Sequence, residues 1–440
     1  MRQSRWQTYG LIAAITALTG CAEGPGGGNA VTRFLNDTTG RGAAQIDAPE
    51  PSEDEAASPI IRDLRARQSV LVVDSAYGQI AASVLAADAR VAEAELRIAR
   101  LRAEAAQRNW LPTIGPRISL TSLGDMAADL VINQVLFDNG RKKAERDLAR
   151  ADVELAAVGL AEDGNNRVYE ALSLYLLAEE GRAASAHFGR ALDDMSQFEW
   201  VMNERVRGGV SDTSDLNILR QRLADLRARK SASQEQATTA LAELTAMSAT
   251  PLDGVRGLSG LNMAPGGVEP VAVLAAQAQK GRAVAQARIT RASHLPGLSA
   301  GGSIGDSGDQ YGLNIESEQL LGLGTGATLQ SLAAVEETES RKIVQAREDA
   351  QREVQSQLRQ RDALQRQAKE AKTLTVQAKA NLDLFQRQYE GGQRQVMDVV
   401  GVYETYAHAL EKELDLTYGA ARAGLEIARI RGVLADGGLM

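Results

Sequence analysis

The chain has 440 residues, 44% hydrophobic and 24% charged, with 49 basic and 57 acidic side chains and a formal net charge of -8. That balance leaves no global cationic field for a nucleic acid, and a single Cys makes neither an intrachain disulfide nor a Cys-based zinc cluster. His187, His294 and His408 lie about a hundred residues apart, so no local metal-ligand spacing is available. Five Phe and three Trp are few for the roughly two to three globular cores such a length would fill, and alanine-rich helix packing fits better than a compact enzyme.

At the start of the chain, Arg2 and Arg5 precede an apolar run over 11–18, too short to span a bilayer but suited to the core of a secretory signal. The run ends in Leu18-Thr19-Gly20-Cys21, which resembles the lipobox of bacterial lipoproteins and implies that cleavage leaves Cys21 lipidated as the first residue. Residues 1–20 are then a lipoprotein signal peptide. Residues 21–70 read as a lipidated flexible tether, because they hold Gly24-Pro25-Gly26-Gly27-Gly28 and an acidic, proline-containing stretch over 49–59. No other segment has about 18 consecutive apolar residues, so any further membrane crossing requires a closed β-barrel.

The ten prolines avoid two long stretches, between Pro116 and Pro251 and after Pro296. Residues 327–390 lack Gly as well and are dominated by Ala, Gln, Glu, Arg, Lys and Leu, which predicts one long helix. Within it Ala368, Ala371, Thr375, Ala378, Leu382, Phe385 and Tyr389 recur at steps of three and four, the spacing of a narrow coiled-coil seam. The remaining faces are polar.

Two landmarks recur. Leu111-Pro112 returns as Leu295-Pro296, an offset of 184, and Gly208-Gly209 with Asp215 returns as Gly391-Gly392 with Asp398, an offset of 183. Agreement in order and spacing indicates a duplication, with a first structural repeat over 71–250, a linker over 251–269 and a second repeat over 270–440. In the first repeat a helix over 74–110 ends before Pro112. A β-hairpin follows over 117–137, Asp138-Asn139-Gly140 breaks the strand, and a helix over 141–207 runs to the Gly-Gly stop. Another helix follows over about 214–248. The second repeat has helices over about 271–293, 327–390 and 398–434, and a Gly- and Ser-rich hairpin over 297–319 whose apolar band rests on Leu298, Ile304, Leu313 and Ile315. At about 1.5 Å per residue the longest helix is roughly 100 Å, and the two shorter helices of its repeat match it end to end. An antiparallel bundle with projecting hairpins results.

These residues resemble the TolC-like outer-membrane efflux protein family over about 70–435, most specifically through Gln134-Val135-Leu136-Phe137-Asp138-Asn139-Gly140-Arg141 and the two Gly-Gly-x5-Asp tips. The resemblance implies a mainly α fold with a small β part. Long antiparallel helices would form a trimeric α-barrel, and four strands per subunit would enter a shared 12-stranded outer-membrane β-barrel. It implies a homotrimeric exit duct in the outer membrane, lipid-anchored and extending into the periplasm. Such a duct passively carries substrates for a tripartite efflux pump or a type I secretion system. The partners would be a periplasmic adaptor (membrane fusion) protein at the Gly208-Gly209 and Gly391-Gly392 tips, an inner-membrane pump and outer-membrane lipid, with no nucleic acid, cofactor or metal and no enzymatic activity. It also implies a periplasmic gate of Tyr389, Arg394, Asp398, Ser214 and Asp215, in which Arg394 and Tyr389 tie to Asp215 in the closed state. Gly401 stands where the family has a second gate Asp.

Other readings of the same residues compete. Asp215 and Asp398 serve equally as caps of the helices that follow each glycine turn, and Gly322-Leu323-Gly324-Thr325-Gly326 is better explained as a strand-to-helix turn than as a nucleotide loop. A periplasmic coiled-coil adaptor or structural lipoprotein would share the signal and the helices. That alternative needs one hairpin flanked by soluble β domains, whereas this chain repeats its helical hairpin, each time with a strand pair.

Overall fold

The computed structural model describes residues 57–87, 91–120, 126–262, 268–305, 308–319 and 322–439. Cys21, the signal peptide and most of the tether lie outside them. The first repeat comprises α1 (Pro59–Ala66), α2 (Ala76–Leu85), α3 (Val91–Gln107), β1 (Thr113–Leu120), β2 (Met126–Phe137), α4 (Arg141–Arg207) and α5 (Thr213–Met247). The second comprises α6 (Val271–Ser293), β3 (Gly297–Gly305), β4 (Gln310–Glu316), α7 (Thr325–Glu390) and α8 (Val396–Arg431), with a short 3-10 turn at Gly437–Leu439.

The long helices form where the breakers are missing: α4 has 67 residues and α7 has 66, each roughly 100 Å. Shorter helices line them in pairs. α3 and α5 pack along α4, and α6 and α8 along α7, while α6 and α8 also lie against α4 and join the repeats. Among the described residues no helix is long and apolar enough to cross a membrane.

Two expectations need correction. The single helix over 74–110 is two helices, α2 and α3, although no Gly or Pro marks a break at 86–90. α2 buries Tyr77, Ile80 and Val84 against Leu172 and Tyr175 midway along α4. α3 buries Leu96 and Ala99 against Val153, Ala157 and Leu160 nearer its start. Two separate packing sites override a continuous helical propensity. The end of the expected tether is also folded. Ser58 caps α1 through the Ile61 N–H, Pro59 occupies the first turn, and Ile60, Ile61 and Leu64 are buried.

Arg67 ties this segment down. Its guanidinium donates to the Arg431 carbonyl at 2.9 Å and the Glu269 carbonyl at 2.7 Å, and pairs with Asp63. Asn165 of α4 holds the other end of the chain by accepting the Leu434 N–H at 2.7 Å. The inter-repeat linker is pinned to α4 at Gly257, whose N–H donates to Glu179 and whose carbonyl accepts the Tyr175 hydroxyl. The middle of α4 is thus where both repeats and the linker converge.

Candidate functional site: a four-stranded sheet and two tips

The four strands form one antiparallel sheet in the order β1-β2-β3-β4, so the two hairpins are joined through β2 and β3. Its register sorts the side chains. Ile114 faces Ile132, Pro116 faces Leu130, and Ile118 faces Ala128. Leu130 in turn faces Ile304, and Phe137 faces Leu298 after a bulge beyond Val135. On the far hairpin Leu298 faces Ile315, Ala300 faces Leu313, and Gly302 faces Tyr311. Because side chains alternate along a strand, these residues share one face, and Ile114, Ile118, Leu313 and Ile315 are each more than 60% exposed on it. The apolar band therefore rests on all four strands and is wider than the one expected from the second hairpin alone. The other face carries Thr113, Arg117, Asn133, Ser303, Gln310 and Asn314, with Arg117 opposite Asp129.

The motif over 134–141 is the joint between this sheet and the helices. Gln134 donates to the Trp110 carbonyl at 2.8 Å. Asp138 accepts the Gly140 and Lys142 N–H groups at the start of α4, and Asn139, at φ 54°, reaches the Pro296 carbonyl of the second repeat at 2.9 Å. Arg141 pairs with Glu318 across the same joint. In the second repeat Gly322 to Thr325 makes the corresponding turn, where the Gly322 N–H donates to the Thr325 hydroxyl.

At the opposite end the two tips match residue for residue. The Gly209 N–H reaches the Val206 carbonyl and the Val210 N–H reaches that of Arg205. In the second tip Gly392 and Gln393 bind Tyr389 and Gln388 in the same way, at 2.8–3.0 Å. This double bond pattern requires a left-handed residue, and Gly209 and Gly392 supply it at φ 71° and 72°. Beneath the tips Met195, Phe198, Met202, Leu219, Tyr403 and Val399 form one apolar cluster that joins α4, α5 and α8.

The residues expected to form a gate gather at these tips, and within the chain they do not make the expected tie. Within the chain Arg394 donates to Gln388 at 3.1 Å and lies over the Phe385 ring, 4.5 Å from its centre. Tyr389 packs edge-on against Phe198 at 5.9 Å. Neither makes a hydrogen bond or ion pair with Asp215 there. Asp398 accepts the Gln395 N–H at 3.1 Å in a capping box, so its cap role is realised. Asp215 only occupies the first turn of α5, and the cap is Asp212, which accepts the Ser214 N–H at 3.1 Å. That bond to Ser214 holds the Asp212 carboxyl below the usual carboxylate range. The pattern Asp212-x-x-Asp215 carried the signal for this cap. Gly401 is exposed, and a side chain there would meet open space.

Between the tips and the middle of the bundle, His187 of α4 is 2% exposed, edge-on to Tyr406 at 5.9 Å, and its Nε2 has no partner. Burial, with a smaller push from Arg190, lowers it from 6.5 to about 4. The unfolded chain therefore takes up a proton that the folded ring refuses. This group leaves stability unchanged above pH 6.5 and removes it progressively as pH falls from 6.5 towards about 4. Thermal melts in detergent should show wild type losing more stability than His187→Phe over that window. Equal losses would mean that the ring is not held neutral.

No protein-family model and no curated protein sequence matches the chain. Solved structures do. A membrane protein from Pseudomonas aeruginosa is 17% identical with a TM-score of 0.73, the match covering 84% of this chain and 93% of that one. The outer-membrane channel OprN is 16% identical with a TM-score of 0.70, covering 88% and 98%. The outer membrane protein VceC from Vibrio cholerae is 16% identical with a TM-score of 0.65, covering 85% and 95%. This chain, in which two helical repeats each add a strand pair to one small sheet, thus has the TolC-like fold of these structures.

Proposed function

We propose that the protein is an outer-membrane exit duct, a homotrimer that carries substrates passively from a periplasmic pump assembly to the exterior. The observation that carries this reading is the sheet: an exposed apolar face on all four strands, with β1 and β4 unpaired at its edges among the described residues. A bilayer tolerates such a sheet only when closed. Three copies, β1 of one beside β4 of the next, close a 12-stranded barrel, and the polar face becomes its lumen. α4 and α7 then extend the lumen roughly 100 Å into the periplasm. The tips meet the adaptor and inner-membrane pump, and Tyr389, Arg394, Asp398, Ser214 and Asp215 close the duct there. Cys21 carries the lipid.

The adaptor alternative is disfavoured, because both strand pairs enter one sheet with an exposed apolar face and no other sheet is present among the described residues. The deciding experiment joins three measurements. The purified protein should run as a trimer in detergent and conduct in planar bilayers. Mass spectrometry should find a diacylated, N-terminal Cys21. A deletion strain should either gain antibiotic sensitivity or lose a secreted protein, which separates drug efflux from type I secretion. A non-conducting monomer would overturn the reading.

A further inference from the structure

α5 and α8 both start at a tip turn, but their backbones do not pack on each other; α4 lies beneath both. Between them runs an open trough, floored by Phe188 and Met195 of α4. Two ion pairs bridge it. Arg222 of α5 meets Glu404 of α8 at 2.8 Å, and Arg229 meets Glu411 at 3.1 Å. The rungs are seven residues apart on both helices, the repeat that returns a helix to the same face after two turns. All four side chains are partly exposed, so each rung is weak and screened by salt.

The second rung has alternative partners on its own helices. Arg229 also pairs with Asp225 at 2.9 Å, and Glu411 also faces His408 at 3.7 Å. The other charged groups on the trough are Glu180, Lys412 and Asp415, of which the last two pair with each other. When the Arg229–Glu411 rung parts, its arginine stays paired and its carboxylate keeps a neighbour. The contact can open and re-form without stranding a charge, which suits a catch between moving parts better than a permanent brace.

We propose that Arg222–Glu404 and Arg229–Glu411 are an electrostatic latch between the two repeats, above the tip gate. It holds α5 and α8 at one spacing while the duct is shut and releases them when it opens. The inference rests on the duct reading above. It assigns regulation to residues outside the tips, and it makes opening depend on ionic strength.

The test is a charge swap, read as open probability in planar bilayers. Glu404→Arg with Glu411→Arg sets an arginine opposite Arg222 and another opposite Arg229. Exposed rungs contribute a factor of about 1.5–5 each, so losing six of them in a trimer should raise open probability at least about ten-fold. Adding Arg222→Glu and Arg229→Glu rebuilds both rungs with reversed polarity and should restore closure. If the double variant fails to assemble, Glu404→Gln with Glu411→Gln takes its place. Wild type should then open more between 0.1 and 1 M KCl, where the screening length falls from about 10 to about 3 Å, and the Gln variant, which keeps only the tip contacts, should respond clearly less. Assembled variants that gate like wild type, or a swap that fails to restore closure, would overturn the latch. Absence of channels from wild type, even with its tip gate mutated, would instead overturn the duct.

Discussion

Leu130→Arg should abolish assembly into the outer membrane, whereas Val131→Arg, one residue along the same strand, should leave most trimers intact. Leu130 is 46% exposed in the middle of the apolar face, between Pro116 and Ile304. An arginine at mid-bilayer depth on a barrel's lipid face costs about 2–4 kcal/mol. In the proposed trimer that cost would be paid three times per barrel and would compete with the whole stability of an ordinary domain. Val131 points to the other face, between Gly115 and Ser303, where the proposed lumen would give the side chain room and water. The measurement is the amount of trimer in the outer-membrane fraction. Equal yields from the two variants would mean that the two faces do not have different solvents and would remove the main support for the barrel.

Arg394→Ser combined with Tyr389→Phe should raise single-channel conductance and admit large antibiotics into cells. Within one chain Arg394 is occupied by Gln388 and Phe385, and the Tyr389 ring leans on Phe198. A tie to Asp215 must therefore form between subunits or after these side chains turn. A partly exposed, charge-assisted contact is worth on the order of 1 kcal/mol, and in the proposed trimer three of them would hold the iris shut. Asp212 separates gate from cap. Because it, and not Asp215, caps α5, Asp215→Asn should leave the helix intact and report on gating alone. Asp212→Ala should instead loosen the first turn of α5. Asp398→Asn keeps an acceptor for the Gln395 N–H, so its main effect should be weaker block by divalent cations. A double variant that conducts like wild type would leave these residues as turn and packing positions only.

Much of the helical part was legible because its signals are local. The end of α4 at Arg207 and the bounds of α6, Val271–Ser293, fall where glycine, proline and composition put them. The matching tips follow from Gly208-Gly209 and Gly391-Gly392, since a Gly in the left-handed region is a property of one residue. The cap at Asp212 was equally local but was overshadowed by the neighbouring Asp215. The proposed gate is another matter. Its residues were nameable only through a family resemblance, and their partners in this chain are set by how Phe385, Gln388 and Phe198 pack around them.

The sequence alone determined where helices run, where they stop, that the layout occurs twice and that the residue pattern resembles the TolC-like family, because propensity, proline geometry and glycine freedom act within a few residues. Only the tertiary structure decided that the hairpins merge through β2 and β3, since the pairing of Leu130 with Ile304 links positions far apart in the chain. The same holds for the split between α2 and α3, which two packing sites on α4 impose, and for Arg67, which reaches carbonyls more than two hundred residues away. Long-range register and buried hydrogen bonding depend on which surfaces meet, and no short window of sequence contains both partners.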